Sequence, residues 1–323
     1  MSRQPSRAGS SESRALRLVT GGLGLFVVLI VVGIGFELAR NSRLSILKFG
    51  LRFWSGTTWD PVAGEFGALP FIWGTLYSSV LALLLSTPIA LGIAIYISEL
   101  APGRLRKPLG FLTELLAAIP SIVYGLWAVF VLVPMVRRLE VWTPAWLKHV
   151  PLFSGPPVGV GMLSAALILT VMVIPFTSSV AREVLKAVPG TQREAAYALG
   201  ATRWEAISVA LRYGRTGILG AVMIGFGRAL GETMAVTMVI GNSPKVALSL
   251  FAPQHTMAAV IANEFTEAAD NLYLDALVEI GLVLFVITLV VNALSRLLIW
   301  NLARERAPRP DAAAAVAVAG AGA

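Results

Sequence analysis

The sequence predicts an all-α polytopic membrane protein, and three observations support this fold class. Hydrophobic residues make up 56% of the 323 residues and charged residues only 14%, whereas a soluble domain carries about 25% charged residues. The mean hydropathy is +0.77. The apolar residues are also gathered into long blocks that reach the roughly 18 residues expected of a membrane-spanning helix. We therefore predict six transmembrane helices within a membrane domain of residues 15–300.

Six apolar blocks define the predicted spans. Four contain no Asp, Glu, Lys or Arg and two carry internal charges, and in chain order the six cover about residues 18–36, 71–98, 115–135, 158–180, 216–241 and 273–298. A signal peptide is the alternative for the first block, because a basic, polar leader precedes it. The apolar run is longer than a typical signal core and no clear small-residue cleavage site follows, so we predict a retained span.

The regions outside the spans predict the orientation of the chain. Residues 1–14 and the Ala-rich residues 301–323 lack an apolar period, and we expect both to be disordered tails. Placing both termini in the cytoplasm puts more than twice as many Lys and Arg residues inside as outside, which is the distribution that membrane proteins favour. The net charge of +8 therefore indicates orientation and does not predict nucleic-acid binding.

The longest predicted inner loop, residues 181–215, contains two capping patterns. Thr191 with Glu194, and Thr202 with Glu205, each have the spacing of a capping box, and Gly200 lies between them, where a helix end commonly needs a left-handed residue. The loop is thus predicted to form two helices outside the membrane. The glutamates would cap these helices alone, or the pair of helices would dock a soluble partner. A DNA-binding helix-turn-helix is the third alternative, but that motif normally belongs to a soluble fold.

The stretch "GFGRALGETMAV", residues 225–236, places Arg228 and Glu232 within the fifth predicted span. A charge near the middle of a span costs about 2.5–3.5 kcal/mol and usually faces a bundle interior or a wet cavity. Residues four apart share one helical face, so the two side chains are predicted to pair. The pair would either fix packing only or line an anion pathway, since an Arg guanidinium suits phosphate or carboxylate oxygens.

Smaller features of the spans lead to further expectations. Pro120 with Ser121 either opens a half-helix whose free backbone donors face the pathway or produces a simple kink. Asp275 and Glu279 are expected to hydrogen-bond to neighbouring helices or to meet water rather than to contact an anion. Close approach of neighbouring helices is expected at the glycines of the fifth span, which are Gly225, Gly227 and Gly231. The outer segment "TMAAVIANEFTEA" is predicted to form a short surface helix.

The sequence argues against an enzyme. Its only histidines, His149 and His255, fall in predicted outer loops, and it contains no cysteine. We find no metal-ligand constellation and no nucleophile–base spacing, so no catalytic residue, metal or bound cofactor is predicted. The chain also lacks a G-x-x-x-x-G-K-[ST] phosphate loop, and ATP with Mg would have to be bound by a separate subunit.

The segment "EAAYALGA" resembles the EAA loop of bacterial ABC-importer permeases, the binding-protein-dependent transport family. The resemblance implies a type I, MetI-like permease fold and a loop that seats in a groove of an ATP-hydrolysing subunit. The family pattern continues to a Leu-Pro pair, whereas Leu211 is followed here by Arg212, which affects the turn back into the membrane. The coupling residues implied are Glu194, Ala195, Ala196, Gly200, Thr202, Trp204 and Glu205.

Three motifs resemble the phosphate-specific, PstC-type group of this family over roughly residues 65–300. They are "GRALGETMAV", "AAIPSIVYGLWA" and "TLYSSVLALLLSTPIALGIAIYISELAP", and the first continues as "GETMAV" rather than as the "GETAP" of PstA-type permeases. The residues alone predict an anion, and the resemblance implies phosphate. The predicted substrate pathway contains Arg228, Glu232 and Ser121. A permease for another oxyanion such as molybdate or sulfate, or a membrane-anchored phosphate-sensing regulator, is the alternative.

The same resemblance implies a bacterial inner-membrane location and a set of partners. These are a PstA-like permease, a PstB-like ATPase dimer that binds the ATP, a periplasmic PstS-like phosphate-binding protein and a PhoU-like regulator, in addition to membrane lipid. Affinity, subunit arrangement and conformational states are beyond what the motifs indicate.

Overall fold

The computed structural model describes residues 8–304, and its architecture is a helical bundle. Six helical segments in this range are long and apolar enough to cross a membrane, which confirms the predicted number of spans. Their bounds are Leu16–Asn41, Leu69–Leu100, Ser121–Trp142, Met162–Lys186, Arg203–Leu230 and Asn271–Leu302.

The first third of the described chain contains two spans joined by a folded segment. The elements are α1 (Ala8–Asn41), α2 (Arg43–Phe49), α3 (Arg52–Ser55), an antiparallel pair of strands β1 (Trp59–Asp60) and β2 (Glu65–Phe66), and α4 (Leu69–Ile95), which continues into a π-helical turn, Tyr96–Leu100. The segment between the first two predicted spans is therefore largely structured. In the antiparallel strand pair, Trp59 of β1 lies opposite Phe66 of β2.

The remaining elements complete the bundle and the segments at its two ends. They are α5 (Gly103–Ala117), α6 (Ser121–Trp127), a second π-helical turn (Ala128–Leu132), α7 (Val133–Trp142), α8 (Ala145–Lys148), α9 (Met162–Lys186), α10 (Gly190–Ala198), α11 (Arg203–Leu230), α12 (Met234–Thr237), α13 (Met257–Glu264) and α14 (Asn271–Arg304). The third span consists of α6, the π-helical turn and α7, with Pro134 in the first turn of α7.

The predicted tails extend beyond the described residues. Helix α1 begins at Ala8, so the expected disordered tail of residues 1–14 is helical from that residue onward. The run Ala8–Arg14 contains one Gly and no Pro, and nothing in it stops a helix from extending out of the apolar block. Helix α14 reaches Arg304, and the rest of the predicted tail, residues 305–323, lies outside the described part.

Helix α9 is the most buried of the six spans and forms the centre of the bundle. It packs against α4 and α11. Ala82, Ala90 and Ala94 of α4 have no exposed surface, and such small residues let helix backbones approach closely, because packing rather than the hydrophobic effect drives association within a membrane. In contrast, α1 is exposed along almost all of its described length.

The end of the bundle that carries the strand pair is held together by aromatic side chains. Trp59 packs edge-on against Phe71 with ring centroids 4.8 Å apart, and Phe66 stacks on Tyr273 at 5.4 Å. These four residues come from β1, β2, α4 and α14, so the cluster fastens the strand pair to two spans. Aromatic pairs of this geometry contribute about 0.5–1.5 kcal/mol each beyond the area they bury.

The segment between α12 and α13 folds back onto α4. Trp73 Nε1 donates to the Ala247 carbonyl at 2.9 Å, and the Tyr77 hydroxyl donates to the Leu248 carbonyl at 2.8 Å. Helix α13 confirms the predicted short helix, but Met257 to Val260 are buried, so the prediction of a surface helix is wrong. The apolar first turn of α13 is covered by α4 and α14.

His255, predicted to lie in an outer loop, is only 2% exposed. Its backbone lies against Gly74 of α4, where a Cβ atom would overlap the His255 carbonyl oxygen. The imidazole packs edge-on against Phe71, and its Nδ1 accepts a hydrogen bond from the Thr256 amide at 3.1 Å. Burial lowers the pKa of His255 from 6.5 to about 4, because desolvation disfavours the charged imidazolium.

The contact at Gly74 predicts a strong effect of one added methyl group. We expect Gly74→Ala to lower the free energy of unfolding by about 1–3 kcal/mol, because the backbone of residue 255 must move. Gly92→Ala is the matched control in the same helix, since nothing lies within 4 Å of its Cβ position. The melting temperature in detergent tests this expectation, and equal melting temperatures for the two variants would contradict it.

The buried imidazole predicts a pH-dependent stability. Because the pKa of His255 is lowered in the folded state, the unfolded chain takes up the proton first as the pH falls. Stability is therefore kept above pH 6.5 and lost progressively between pH 6.5 and about 4, by about 3 kcal/mol in total. Melting temperatures of wild type and His255→Gln across this range would show it. If wild type and variant show the same dependence of melting temperature on pH, His255 is not the cause of the pH-dependent stability.

Candidate functional site

Arg228 lies in the last turn of α11 and is half-buried against α9. Its guanidinium carbon is 4.1 Å from the centroid of the Phe176 ring, a cation–π contact that stabilises a partly desolvated charge. The buried Nε atom has no hydrogen-bond partner. Among the side chains that the structure describes, no carboxylate forms an ion pair with Arg228. The result is a permanent positive charge with spare hydrogen-bond donors.

The position of Phe176 gives the depth of this charge in the bundle. Phe176 lies 14 residues after Met162 and ten before Lys186, the two ends of α9. At a rise of about 1.5 Å per residue these separations are about 21 and 15 Å. The guanidinium is therefore near the middle of the central span, as predicted, although it is at the end of its own helix.

The predicted helical pairing of Arg228 with Glu232 is wrong. Helix α11 ends at Leu230 and Gly231 follows it, so Glu232 is not one turn further along the same helix. The Glu232 carboxylate instead accepts a hydrogen bond from the Ala235 amide at 3.4 Å, at the start of α12. Glycine has low helix propensity and an acidic side chain favours the beginning of a helix, which explains the break between the two residues.

Close approach at glycines is confirmed at one of the three expected positions. A Cβ atom on Gly225 would overlap Thr177 and lie 2.9 Å from a Val173 methyl carbon, so α11 contacts α9 directly there. At Gly227 nothing lies within 4 Å, and Gly231 contacts only the preceding turn of its own helix. The last two glycines therefore do not serve helix packing within this chain.

Ser121 is the first residue of α6, so the helix opens where the sequence placed it. Its side chain is half-buried. Helix α6 packs tightly on α12, because a Cβ atom on Gly125 would lie 3.0 Å from the Ala235 Cα atom. The third span thus adjoins the segment that carries Glu232, and a direct role of Ser121 toward a substrate stays a prediction.

The predicted helix, bend and helix of the inner loop are present as α10, Gly200 and α11. Gly200 has φ +81°, and its amide bonds to the Tyr197 carbonyl while the Ala201 amide bonds to the Ala196 carbonyl. This is a Schellman motif, which needs a left-handed residue after the helix. Glu194, Ala195 and Ala196 lie in α10.

The second helix of this loop differs from the prediction, because it is not a separate element outside the membrane. Arg203 to Leu230 form one continuous helix. The Leu-Pro pair of the family pattern is replaced by Leu211 and Arg212, and without the proline no backbone donor is lost and the helix continues. The Thr202 end of α11 and Arg228 thus belong to one continuous helix.

Only the second capping pattern forms. Thr202 and Glu205 make a complete capping box, with the Thr202 amide donating to the Glu205 carboxylate at 2.7 Å. Thr191 is not a cap, because α10 begins at Gly190 with Pro189 in the N-cap position. Thr191 therefore falls inside the first turn of α10.

The loop presents large apolar side chains that no described part of the chain covers. Leu199 is 90% exposed and Trp204 is 64% exposed, and Tyr197 is exposed beside them. All three lie on α10, the bend or the start of α11, and α10 itself has no buried residue. A cluster of exposed Trp, Tyr and Leu beside polar groups is typical of a protein interface.

Sequence reasoning missed one ion pair at this loop. Arg193 of α10 pairs with Glu99, which lies in the π-helical turn that follows α4, and Arg193 Nη2 is 2.6 Å from Glu99 Oε1. The two residues are 94 positions apart, and no spacing or capping pattern relates them. The expectation for Asp275 is confirmed, since its carboxylate accepts a hydrogen bond from the Leu44 amide of α2 at 2.8 Å.

Metal chemistry has no support in the part of the chain that the structure describes. There, no group of three or more His, Cys, Asp or Glu side chains could hold a metal ion. The site therefore consists of a central guanidinium, a helix break and the exposed segment of α10, Gly200 and the start of α11.

The chain is similar to known proteins in its sequence and in its fold. The chain is 43% identical over 289 residues to the phosphate transport system permease protein PstC of Mesorhizobium japonicum, with 88% of each protein covered. It is 45% identical to the PstC proteins of Pasteurella multocida, covering 90% of this chain and 92% of that one, and of Haemophilus influenzae, covering 89% and 93%.

A solved structure supports the expected permease fold. A chain of the MetNI methionine ABC transporter, in an inward-facing conformation, superimposes with a TM-score of 0.54 at 16% identity. The match covers 72% of this chain and 94% of the MetNI chain. Residues 86–305 match the family described as binding-protein-dependent transport system inner membrane component. The chain belongs to this family, and it is a multi-pass membrane permease subunit rather than an enzyme.

Proposed function

We propose that this chain is the permease subunit of an ATP-driven importer that moves inorganic phosphate from the periplasm to the cytoplasm. Arg228 carries the proposal, because it is a permanent charge near the middle of the bundle without an anionic partner among the described side chains. The choice of phosphate is supported by the relatives, which are phosphate transport system permeases.

The chemistry of Arg228 fits transient binding of an oxyanion. A guanidinium presents planar, paired donors that match two oxygens of a phosphate. The Phe176 ring keeps the group in place from one side, which leaves the other donors for the ion. Glu232, held at the start of α12, is close in sequence and repels an anion. We propose that this combination keeps binding weak enough for release toward the cytoplasm.

The break after Leu230 supports a pathway at this depth. Non-helical backbone within a membrane occurs where it is buried in protein or lines a wet cavity, and discontinuous helices commonly form the substrate sites of transporters. Residues 231–233 and 238–256 are largely non-helical. Together with Ser121 on the adjoining α6, they are the segments that we propose line the route of the ion.

Coupling to ATP is proposed to run through α10 and the start of α11. Residues Arg203 and Arg228 are 25 residues apart in one helix, or about 38 Å. Movement of the coupling end is thereby transmitted to the pathway arginine. ATP and Mg would be bound by a PstB-like ATPase dimer, and a PstA-like permease, a PstS-like binding protein and a PhoU-like regulator complete the proposed assembly.

The proposed orientation places both termini, α5 and α10 in the cytoplasm. Arg104, Arg106 and Lys107 at one end of the bundle, and Arg203 near α10, provide the positive charge that favours this side. The segment of α2, α3, β1 and β2 would then face the periplasm, where the binding protein docks.

Replacing the central charge tests the pathway. We expect Arg228→Gln to lower uptake of labelled phosphate at least about 30-fold in cells without their own high-affinity importer, because the ion loses a partly desolvated charged contact. Wild type and variant are expressed with the partner subunits, and co-purification of the ATPase shows that both assemble.

The control is Arg296→Gln, an exposed arginine of α14, which should transport like wild type. Equal uptake by Arg228→Gln and wild type would assign Arg228 to packing alone. An assembled wild type that carries sulfate or molybdate but not phosphate would overturn the substrate.

Replacing the exposed tryptophan tests the docking loop. We expect Trp204→Ala to weaken binding of the ATPase by about 2 kcal/mol or more, since tryptophans at interfaces are commonly dominant contacts. The loss is measured as less ATPase recovered when the permease is purified. Trp142→Ala is the matched control, because this side chain is 88% exposed at the opposite end of the bundle. Unchanged recovery of the ATPase with Trp204→Ala would place the docking surface elsewhere.

A further inference from the structure

We propose that the ion pair between Arg193 and Glu99 is the joint through which movement of α10 reaches the second span, so that both residues act as positioning residues for transport. This inference deepens the proposed function and rests on it for the direction of coupling. It adds a second connection beside α11, which carries movement along its own axis.

The geometry of the pair is that of a rigid, two-point contact. Arg193 Nε donates to Glu99 Oε2 at 3.1 Å, and Nη2 donates to Oε1 at 2.6 Å. The side chains are only 20% and 12% exposed. A bidentate, partly buried pair fixes both the distance and the angle between α10 and the turn that contains Glu99. An exposed contact through one hydrogen bond would fix neither of them.

Arg193 also fastens the end of the central helix. Its Nη1 donates to the Val188 carbonyl at 3.0 Å, and Nη2 donates to the Leu185 carbonyl at 2.9 Å. The Leu185 carbonyl lies in the last turn of α9 and also accepts from the Val188 amide at 3.3 Å, and Val188 follows the helix. Four of the five N–H donors of the guanidinium are thus used, and one side chain joins three elements.

Helix α10 has little else to hold it. None of its residues is buried, and only Arg193 and Ala196 are even half-buried. Leu199 and Tyr197 are exposed. A force applied to α10 by a bound subunit therefore reaches the bundle through Arg193 and through the bend that leads into α11.

The receiving end of the joint is the π-helical turn Tyr96–Leu100, which contains Glu99. Such turns interrupt the regular helical hydrogen-bond pattern and frequently occur at functional positions. The Glu99 carbonyl lies 3.5 Å from Arg203 Nη2 at the start of α11. The same turn therefore contacts both elements of the coupling loop, and the rest of α4 packs along α9.

Breaking the ion pair between Arg193 and Glu99 should uncouple phosphate transport from ATP hydrolysis without abolishing ATP hydrolysis. The experiment uses the complete assembly in proteoliposomes, with the phosphate-binding protein enclosed on the appropriate side, and measures phosphate moved per ATP hydrolysed. We expect Glu99→Gln to lower this ratio at least tenfold while ATP hydrolysis and subunit recovery stay within twofold of wild type. Arg193→Lys keeps the charge but loses the fork, and an intermediate ratio is expected.

Glu114→Gln is the matched control. Glu114 of α5 pairs with Arg182 of α9 at the same 2.6 Å, but this pair does not touch α10. The control should keep the wild-type ratio. An unchanged ratio in Glu99→Gln overturns the proposal, as does a ratio that falls only together with assembly or melting temperature, because that result indicates a purely structural pair.

A second measurement does not depend on phosphate. The chain has no cysteine, so spin labels at Gln192→Cys in α10 and Ile89→Cys in α4 report the distance between the two helices. With the joint intact, we expect one narrow distance that is the same with and without ATP, and Glu99→Gln should broaden it. A wild-type distance that changes on ATP binding overturns the proposal. Failed phosphate uptake with an invariant distance would overturn the proposed substrate and leave the joint in place.

Discussion

The direct packing of α11 on α9 is the contact on which the rest of the structure depends. Gly217 faces Val184 so closely that a Cβ atom would lie 2.7 Å from its methyl carbon, and Gly225 faces Thr177 in the same way. Lipid tails are as apolar as the side chains, so van der Waals contact of this kind is what holds membrane helices together. Because the two backbones approach at both points, Arg228 is fixed over Phe176 and the middle of α11 is fixed beside the end of α9.

The helix break after Leu230 explains why an unpaired charge is tolerated at this depth. The carbonyl groups at a helix C-terminus carry partial negative charge, which favours a cation in the last turn. Arg228 occupies that turn, and the Phe176 ring adds a second favourable contact. The charge is thus compensated by dipoles and an aromatic face instead of by a carboxylate, which would neutralise it and compete with an anion.

The sequence predicts those features that depend on neighbouring residues and fails where distant ones decide. Apolar block length was sufficient for six spans, and Gly200 and the Thr202–Glu205 box were identified because caps are local. The pairing of Arg228 with Glu232 failed because apolar composition continues past the true helix end, which glycine and the packing of α12 set. The contact of Arg193 with Glu99 could not be inferred, since 94 residues separate them and only the folded bundle brings them together.

The segment around α10 and the site around Arg228 are connected by a continuous helix and not by a loop. Helix α11 runs without interruption from the capping box at Thr202 to Arg228, and its fold requires no flexible element between them. No proline occurs between Arg203 and Leu230, so every backbone amide in this stretch remains available for the helical hydrogen bonds. A displacement at the Thr202 end of α11 is therefore passed to Arg228 along one helix that packs against α9. The glycine contacts at residues 217 and 225 are where that movement is constrained, and the guanidinium lies just beyond the second of them.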